Sequence, residues 1–420
     1  FFKQKTAYEI VDCDWSSDVC SPDLLFTPMN KPTLHVIAPF HTLMNSDFHH
    51  CAFTQKAFRI PKMMQPLGYR VVEYSNGKSE SEAETKVMML SRSELEISAG
   101  KHEGAKFHGN TAVIGTPHWT EFDKRLKGAL RENVADGDII CHPFGRSHAD
   151  VVKLFPGQHH VETGIGYPDS DFGAFRIFES YAWMHYHLGK RLHFDGNGRV
   201  IYNQDHLPVV GEGGKDYMWV VPNYFDLEDW PYRAEKGEYF LYYGRICPEK
   251  GLDTLKAIAD YIDEEIHLVG QGDPAPWKHK NLKYRGPVTG KARADVVGRA
   301  KALLMPTRYI EPFGGAGVEG QLCGAPLLAS SYGCFSETIE HGVTGYRCHT
   351  LGDWLDAMRM VNEGRIDRKT TSDRAQRLYS MQTCAKRYDA IFQQISDLRR
   401  PANDPEGSGW YHLRGHMVHQ

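Results

Sequence analysis

Three clusters in the second half of the chain carry residue types and spacings that could do chemistry. The first is Tyr243-Gly-Arg-Ile-Cys-Pro-Glu-Lys-Gly251, which puts Arg245 and Lys250 in one short loop between a strand ending at Gly244 and a helix starting near Gly251. Two cations beside a helix N-terminus suit an anion, best a phosphate or diphosphate. A charge-assisted hydrogen bond there contributes roughly 1.5–3 kcal/mol, and the helix dipole about 0.3–1 kcal/mol. The second cluster is Glu311-Pro-Phe-Gly-Gly-Ala-Gly-Val-Glu319, which follows the strand Ala302-Leu-Leu-Met305 and opens a helix. Gly314, Gly315 and Gly317 free the backbone to approach a ligand closely, and amides at a helix start cradle an anion. Phosphate repels carboxylates, so Glu311 and Glu319 are better used accepting hydrogen bonds from the hydroxyls of a sugar or ribose, one at each end of a bound molecule. Taken singly, each of these four charges also reads as an ordinary solvated residue. The third cluster, Ser330 to Glu337 followed by Gly342-Val-Thr-Gly345, is weak by itself.

The elements that must hold these clusters follow from periodicity. Strands are predicted at Leu34–Ala38, Tyr69–Tyr74, Asp138–Cys141, His159–Glu162, Val200–Tyr202 and Trp219–Val221, with helices over Cys51–Leu67 and Phe175–His187. Glu80 to Gly109 reads as a polar, poorly periodic helical excursion. After a proline-punctuated linker near Pro222–Lys236, strands are predicted at Tyr239–Tyr243, Glu265–Val269, Ala302–Met305 and Pro326–Ala329. Helices are predicted over Gly251–Tyr261, Ala292–Arg299, Gly315–Cys323, Phe335–Glu340, Leu351–Asn362 and Ser372–Leu398. Two successive β/α alternations imply two Rossmann-like, doubly wound α/β domains, with the default ligand site in the cleft between them, beyond the carboxyl ends of the strands.

The order and spacing of the clusters resemble the retaining GT-B glycosyltransferases, in particular family 4. The matching segments are Gly244-Arg245, Glu249-Lys250-Gly251, Glu311-Pro-Phe-Gly314 to Glu319, Cys323-Gly-Ala-Pro326 and Glu337 to Gly345, with Val220-Val-Pro-Asn223 at the end of the first domain. The likeness is strong over about residues 220–395 and only topological over 34–200. It implies a GT-B fold and a nucleoside diphosphate sugar as donor, with no cofactor beyond that co-substrate and no DxD metal motif. Asp136-Gly-Asp138 and Asp169-Ser-Asp171 fit loops better. The resemblance further implies that Gly244, Arg245 and Lys250 meet the diphosphate, Glu311 the sugar hydroxyls and Glu319 the ribose. Phe313, Gly314 and Gly315 would line sugar and phosphate through their amides, and Arg285-Gly-Pro-Val288 would meet the base. His142 stands where the family often has a histidine beside the donor sugar, and a protonatable imidazole there could act on a hydroxyl; it reads equally as a structural strand-end histidine. Two departures stand out. The loop Pro39 to Ser46 lacks the family's Gly-Gly, and Gly315-Ala-Gly317 replaces bulkier residues.

The implied organisation is a leader (1–28), an N-terminal acceptor-side domain (29–224), a nucleotide-sugar-binding domain (225–385), a helix crossing back to the first domain (386–400) and a flexible tail (401–420). Phe1 to Leu24 resembles translated sequencing-adaptor sequence, so the native start is expected at Met29. That segment sets two lysines against five acids, and its removal moves the net charge from −4 to −1. With 49 basic and 53 acidic residues, a strongly basic nucleic-acid binder is excluded. Nine cysteines without a CxxC pair exclude a disulfide scaffold or zinc ribbon. His49-His50 and His159-His160 invite a metal reading, but neighbours on a strand face opposite ways. Gly270-Gln-Gly272 lacks the third glycine of a dinucleotide loop. Phe172, Phe175, Phe178, Tyr181 and Trp183 read as core. No apolar run is long enough for a membrane helix, so a cytoplasmic setting, at most peripheral to the inner membrane surface, is expected. The acceptor (glycan, lipid, protein or modified nucleic acid) is unread and no protein partner is inferred. Rival readings are a glycoside hydrolase using Glu311 and Glu319, a sugar-nucleotide epimerase and a non-catalytic sugar-nucleotide sensor. Lys250→Ala is expected to slow turnover about tenfold or more with little change in thermal stability.

Overall fold

Two parallel sheets with the same winding organise the chain. The computed structural model describes residues 31–45, 48, 51–101, 111–168, 172–190, 217–290, 292–399 and 412–413. The leader, His49-His50, Asp169–Asp171, Val200–Tyr202 and the tail apart from 412–413 lie outside them. In the N-terminal lobe, β1 (Leu34–Ile37), α1 (Ala52–Met64), β2 (Val71–Ser75), β3 (Thr85–Met88), α2 (Arg92–Ala99), α3 (Pro117–Asn133), β4 (Ile139–Cys141), α4 (Val151–Leu154), β5 (His159–Ile165), β6 (Phe175–Phe178), α5 (Tyr181–Lys190) and β7 (Tyr217–Val220) build a sheet in the order β3-β2-β1-β4-β5-β6-β7. In the C-terminal lobe, β8 (Tyr239–Tyr243), α6 (Leu252–Ala259), β9 (Glu265–Val269), β10 (Leu282–Gly286), α7 (Ala292–Gly298), β11 (Leu303–Met305), α8 (Gly315–Leu322), β12 (Leu327–Ser330), α9 (Phe335–Thr338), β13 (Gly345–Cys348), α10 (Leu351–Asn362) and α11 (Arg368–Tyr379) build a sheet in the order β10-β9-β8-β11-β12-β13. Both lobes lie within the single compact unit Pro32–Gln420.

Strand side chains alternate between two faces, so each sheet is sandwiched by helices. In the second sheet, Leu241, Leu303, Met305 and Leu327 pack under Val318 and Leu322 of α8. Phe240, Tyr242, Leu304 and Leu328 pack on the other face with Leu252 and Leu255 of α6. Each sheet reverses its winding once, between β1 and β4 and between β8 and β11. A crevice opens at the carboxyl ends at such a switch point.

Several expectations change. Phe175–Phe178 is a fully buried strand, not the start of a helix, because four residues, Phe-Arg-Ile-Phe, are too short for periodicity to separate the two. The excursion from Glu80 contains β3, and the seventeen-residue α3 was not foreseen although Thr116 caps it and Pro117 occupies its first turn. Strands β10 and β13 add to the four predicted in the C-terminal lobe. The helix expected over Ser372–Leu398 is two, α11 and α12 (Met381–Ser396), divided at Ser380, whose extended backbone lets its side chain cap α12. The crossing to the first lobe therefore begins at Met381 rather than 386. There Met381, Tyr388 and Phe392 join the core of β1, β4 and α1. At the crossing the two chain passages pair, with Phe225 N–H donating to Tyr379 O at 2.9 Å and Met381 N–H to Phe225 O at 3.0 Å. Within the tail, β15 (His412–Leu413) pairs antiparallel with β14 (Leu398–Arg399). No helix among the described residues is long and apolar enough to cross a membrane.

Candidate active site

At the second switch point, β8 runs out into Gly244-Arg245 and β11 into the loop that ends at Gly314. These tips, the start of α8 and the N-terminal lobe's α1 enclose a cavity of about 480 Å³, within the usual range for small-molecule sites. From the C-terminal lobe it is lined by Tyr243, Gly244, Arg245, Gly270, Gln271, Pro287, Val288, Arg293, Gly315, Ala316 and Glu319. Of the sequence-derived candidates, Gly244, Arg245, Val288, Gly315 and Glu319 thus meet on one cavity, while Lys250, Glu311, Phe313, Gly314 and His142 do not line it.

The loop geometry follows from two glycines. Gly251 has φ 77°, and a Cβ there would stand 1.8 Å from Pro306 O, so the β8–α6 loop closes directly onto the end of β11. Gly314 has φ 71° and caps α8, turning the chain so that the helix starts at the cavity wall. Gly317 was expected to serve a ligand but faces the sheet. A Cβ on it would meet Leu327 Cδ2 at 2.6 Å and Met305 Sδ at 2.9 Å, so its bareness lets α8 lie close to the strands.

Charge is distributed differently from the expected pair of cations facing one anion. Arg245 is exposed at the cavity. Lys250 instead donates to Glu311 Oε2 at 2.6 Å, with both side chains largely buried at 14% and 12% exposure. Its Nζ sits 4.9 Å from the Tyr309 ring centroid. Burial pulls the Lys250 pKa down, but Glu311 and Tyr309 outweigh it and raise it, so the ammonium stays charged. Burial and the neighbouring Glu311 push the Tyr309 hydroxyl up to about 12. This pairing argues against removing Lys250 without a stability cost, since its loss takes the cation from a largely buried Glu311 carboxylate. At the far end, Glu319 Oε1 lies 3.8 Å from Arg293 Nη2. Burial raises the Glu319 pKa, with Arg293 and Arg59 opposing. Arg293 packs its guanidinium 4.8 Å from the Trp230 ring centroid, and its Nε is buried without a hydrogen-bond partner among the described residues.

His142 is 3% exposed. Its Nε2 lies 3.1 Å from His160 Nδ1 and its ring packs edge-on to Phe172. Burial, then His160, holds its pKa well below 6.5, and the ring does not line the cavity. Phe313 is likewise core, stacked on Phe225. Pro287 and Val288 reach the cavity, but Arg285 turns back to His267 Nε2 at 3.0 Å.

The sequence reading missed the opposite wall, formed by Phe53, Gln55, Lys56 and Arg59 of α1 and by Asn223 to Phe225. Arg59 Nη2 lies 3.7 Å from Asp229 of the linker. The helix α1 was legible, but which of its faces meets a lobe some 170 residues later in the chain is not a local property.

The arrangement suits an elongated molecule with an anionic middle and hydroxyls toward its ends. Residues 237–361 match the protein family described as "Glycosyl transferases group 1". A glycogen synthase of Mycobacterium tuberculosis is 29% identical over 164 residues, 35% of this chain and 39% of that protein. A D-inositol 3-phosphate glycosyltransferase of Pseudarthrobacter chlorophenolicus is 33% identical over 209 residues, 41% of this chain and 50% of that protein. The chain therefore spans half or less of the length of these curated relatives. The solved structure of HepE from Anabaena, in complex with UDP and glucose, superposes with a TM-score of 0.58 at 12% identity, covering 86% of this chain and 99% of that one. The fold is GT-B, with two Rossmann-like α/β lobes facing across a cleft.

Proposed function

We propose that this protein transfers a hexosyl group from a nucleoside diphosphate sugar to an acceptor with retention of anomeric configuration, as the family 4 type of GT-B glycosyltransferase does. The observation that carries the reading is the convergence of Arg245, the bare start of α8, Glu319 and Val288 on one cavity between the lobes. The relatives' descriptions, as glycogen synthase and D-inositol 3-phosphate glycosyltransferase, point the same way.

In this reading the base lies along Pro287-Val288 and the ribose hydroxyls donate to Glu319. Arg245 and the amides of Gly314 and Gly315 hold the diphosphate. The sugar extends toward Glu311 and the Phe313 backbone. Breaking the bond from the anomeric carbon to the phosphate oxygen leaves positive charge on the sugar and negative charge on the departing diphosphate. Arg245, the paired Lys250 and the helix-start amides offset the second charge with groups already in place, which is electrostatic catalysis. Side chains supply these cations, so no metal is assigned. The acceptor approaches past Phe53 and Lys56 on the α1 wall; its hydroxyl oxygen bonds the anomeric carbon on the face the diphosphate leaves, and the departing phosphate oxygen takes the hydroxyl proton.

Thermal stabilisation by UDP-, GDP- and ADP-sugars tests the donor. A ligand at 100 times its dissociation constant adds about 2.7 kcal/mol. Stabilisation by one base series, with nucleoside diphosphate released on addition of acceptors, supports the reading. No stabilisation by any of the three sinks it, and stabilisation without release on any acceptor favours the sensor.

A further inference from the structure

The corner between β6 and α5 carries a second set of bonds across the cleft. Glu179, the first residue after β6, accepts a hydrogen bond from Lys56 of α1, whose ammonium also donates to Gly164 O at 2.6 Å; both charged side chains are 6% exposed. Lys56 lines the cavity, so this pair ties the corner to the cavity wall. Ser180, 2% exposed, donates its hydroxyl to Pro312 O at 2.6 Å in the other lobe and accepts from Trp183 N–H at 3.0 Å. The next two amides, Tyr181 and Ala182, donate to the Glu337 carboxylate at 3.0 and 2.8 Å. Glu337 is fixed to its own lobe, because Arg374 of α11 donates to its carbonyl at 3.2 Å. Three hydrogen bonds thus span the lobes within three consecutive residues. They end on Pro312, between Glu311 and Phe313, and on Glu337.

The contact has the physics of a catch. A carboxylate on two amides at the start of the ten-residue α5 makes charge-assisted bonds aligned with the helix dipole. A buried hydroxyl that loses its acceptor is left unsatisfied. Hydrogen bonds fail beyond about 3.5 Å, so a small separation of the lobes breaks all three together.

We propose that the first turn of α5 and the Pro312–Glu337 surface form the latch of the closed cleft, with Ser180 and Glu337 as positioning residues that seat the Glu311 loop over the sugar only while the lobes are together. This rests on the glycosyl-transfer reading. Ser180 holds the carbonyl next to Glu311, so the latch acts on the sugar end of the donor rather than the nucleoside end. An unlatched enzyme keeps its nucleotide but admits water to the sugar.

The test uses the full chain with Glu337→Ala and Ser180→Ala, and Ser180→Thr as the conservative rescue. Small-angle X-ray scattering with saturating UDP or GDP, whichever stabilises the protein, reads the separation of the lobes. The ratio of donor hydrolysis to transfer reads the sugar end. Both alanine variants are expected to give a larger radius of gyration and about a tenfold rise in that ratio. Nucleoside diphosphate affinity should stay within about twofold, and Ser180→Thr should restore the ratio. Unchanged scattering and an unchanged ratio overturn the latch, as does a fall in melting temperature alone. If the unmodified protein releases no nucleoside diphosphate, the glycosyl-transfer reading fails instead, and the scattering arm still decides the latch.

Discussion

The two lobes wind their central strands identically, yet they use the strand tips in opposite ways. In the C-terminal lobe, β8 and β11 end in residues that leave space: Gly244, an exposed Arg245 and the Gly314–Gly315 start of α8. In the N-terminal lobe, β1 and β4 lead to His41 and His142, 6% and 3% exposed, with Phe144 packed against His41. That switch point is filled by its own side chains. The lobe reaches the shared cavity through the flank of α1 instead. Topology offers a crevice at every winding reversal, and residue size and polarity decide whether it stays open.

Removing charge at the open tips should hurt most. Arg245→Ala is expected to weaken nucleoside diphosphate binding by about tenfold to a hundredfold, the loss of a charge-assisted bond, with melting temperature almost unchanged because the side chain is exposed; calorimetry reads both. Lys250→Ala should slow turnover about tenfold and, unlike Arg245→Ala, also cost about 1–3 kcal/mol of stability in denaturant titration, because Glu311 loses its partner. Equal stability losses for the two variants would erase the distinction between a ligand-facing and a structural cation.

The glycines sharpen the contrast within one helix. Gly317→Ala forces a methyl against Leu327 and Met305 and should cost about 1–3 kcal/mol of stability. At Gly315 a Cβ would find nothing closer than 3.9 Å, so Gly315→Ala should act on nucleotide affinity and leave stability alone.

The smallest effects are in pH. Glu319 has its pKa raised above 4.5 by burial. A raised folded-state value means the stability contribution is present below 4.5 and lost as pH rises through the folded pKa. Ribose hydroxyls need the ionised acid, so nucleotide affinity should run the other way and fall as pH drops through the same value; Glu319→Gln should flatten both trends. His142 has its pKa depressed below 6.5, so the unfolded chain takes up the proton first and stability should decline as pH falls from 6.5. His142→Asn should flatten that decline while turnover holds within about twofold, and a large loss of turnover would return His142 to the chemistry.

Local pattern carried much of this architecture. Tyr239–Tyr243, Glu265–Val269 and Leu351–Asn362 could be drawn to the residue, since an apolar strand bounded by turn residues, or an amphipathic helix behind a capping threonine, is specified by its own neighbours in sequence. The placement of Arg245 and of the glycines before α8 at the tips of two strands was legible for the same reason. Pairing was not. That Lys250 belongs to Glu311, that Gly317 serves packing, that Phe175–Phe178 is a strand and that His142 is sealed against His160 all depend on which distant segment arrives opposite. The cavity has a second wall because α12, packed on α1, and the 222–225 crossing set α1 across the cavity from α8. Residue types and spacing are sequence information; burial and partnership come from contacts between distant segments, and only the folded chain creates them.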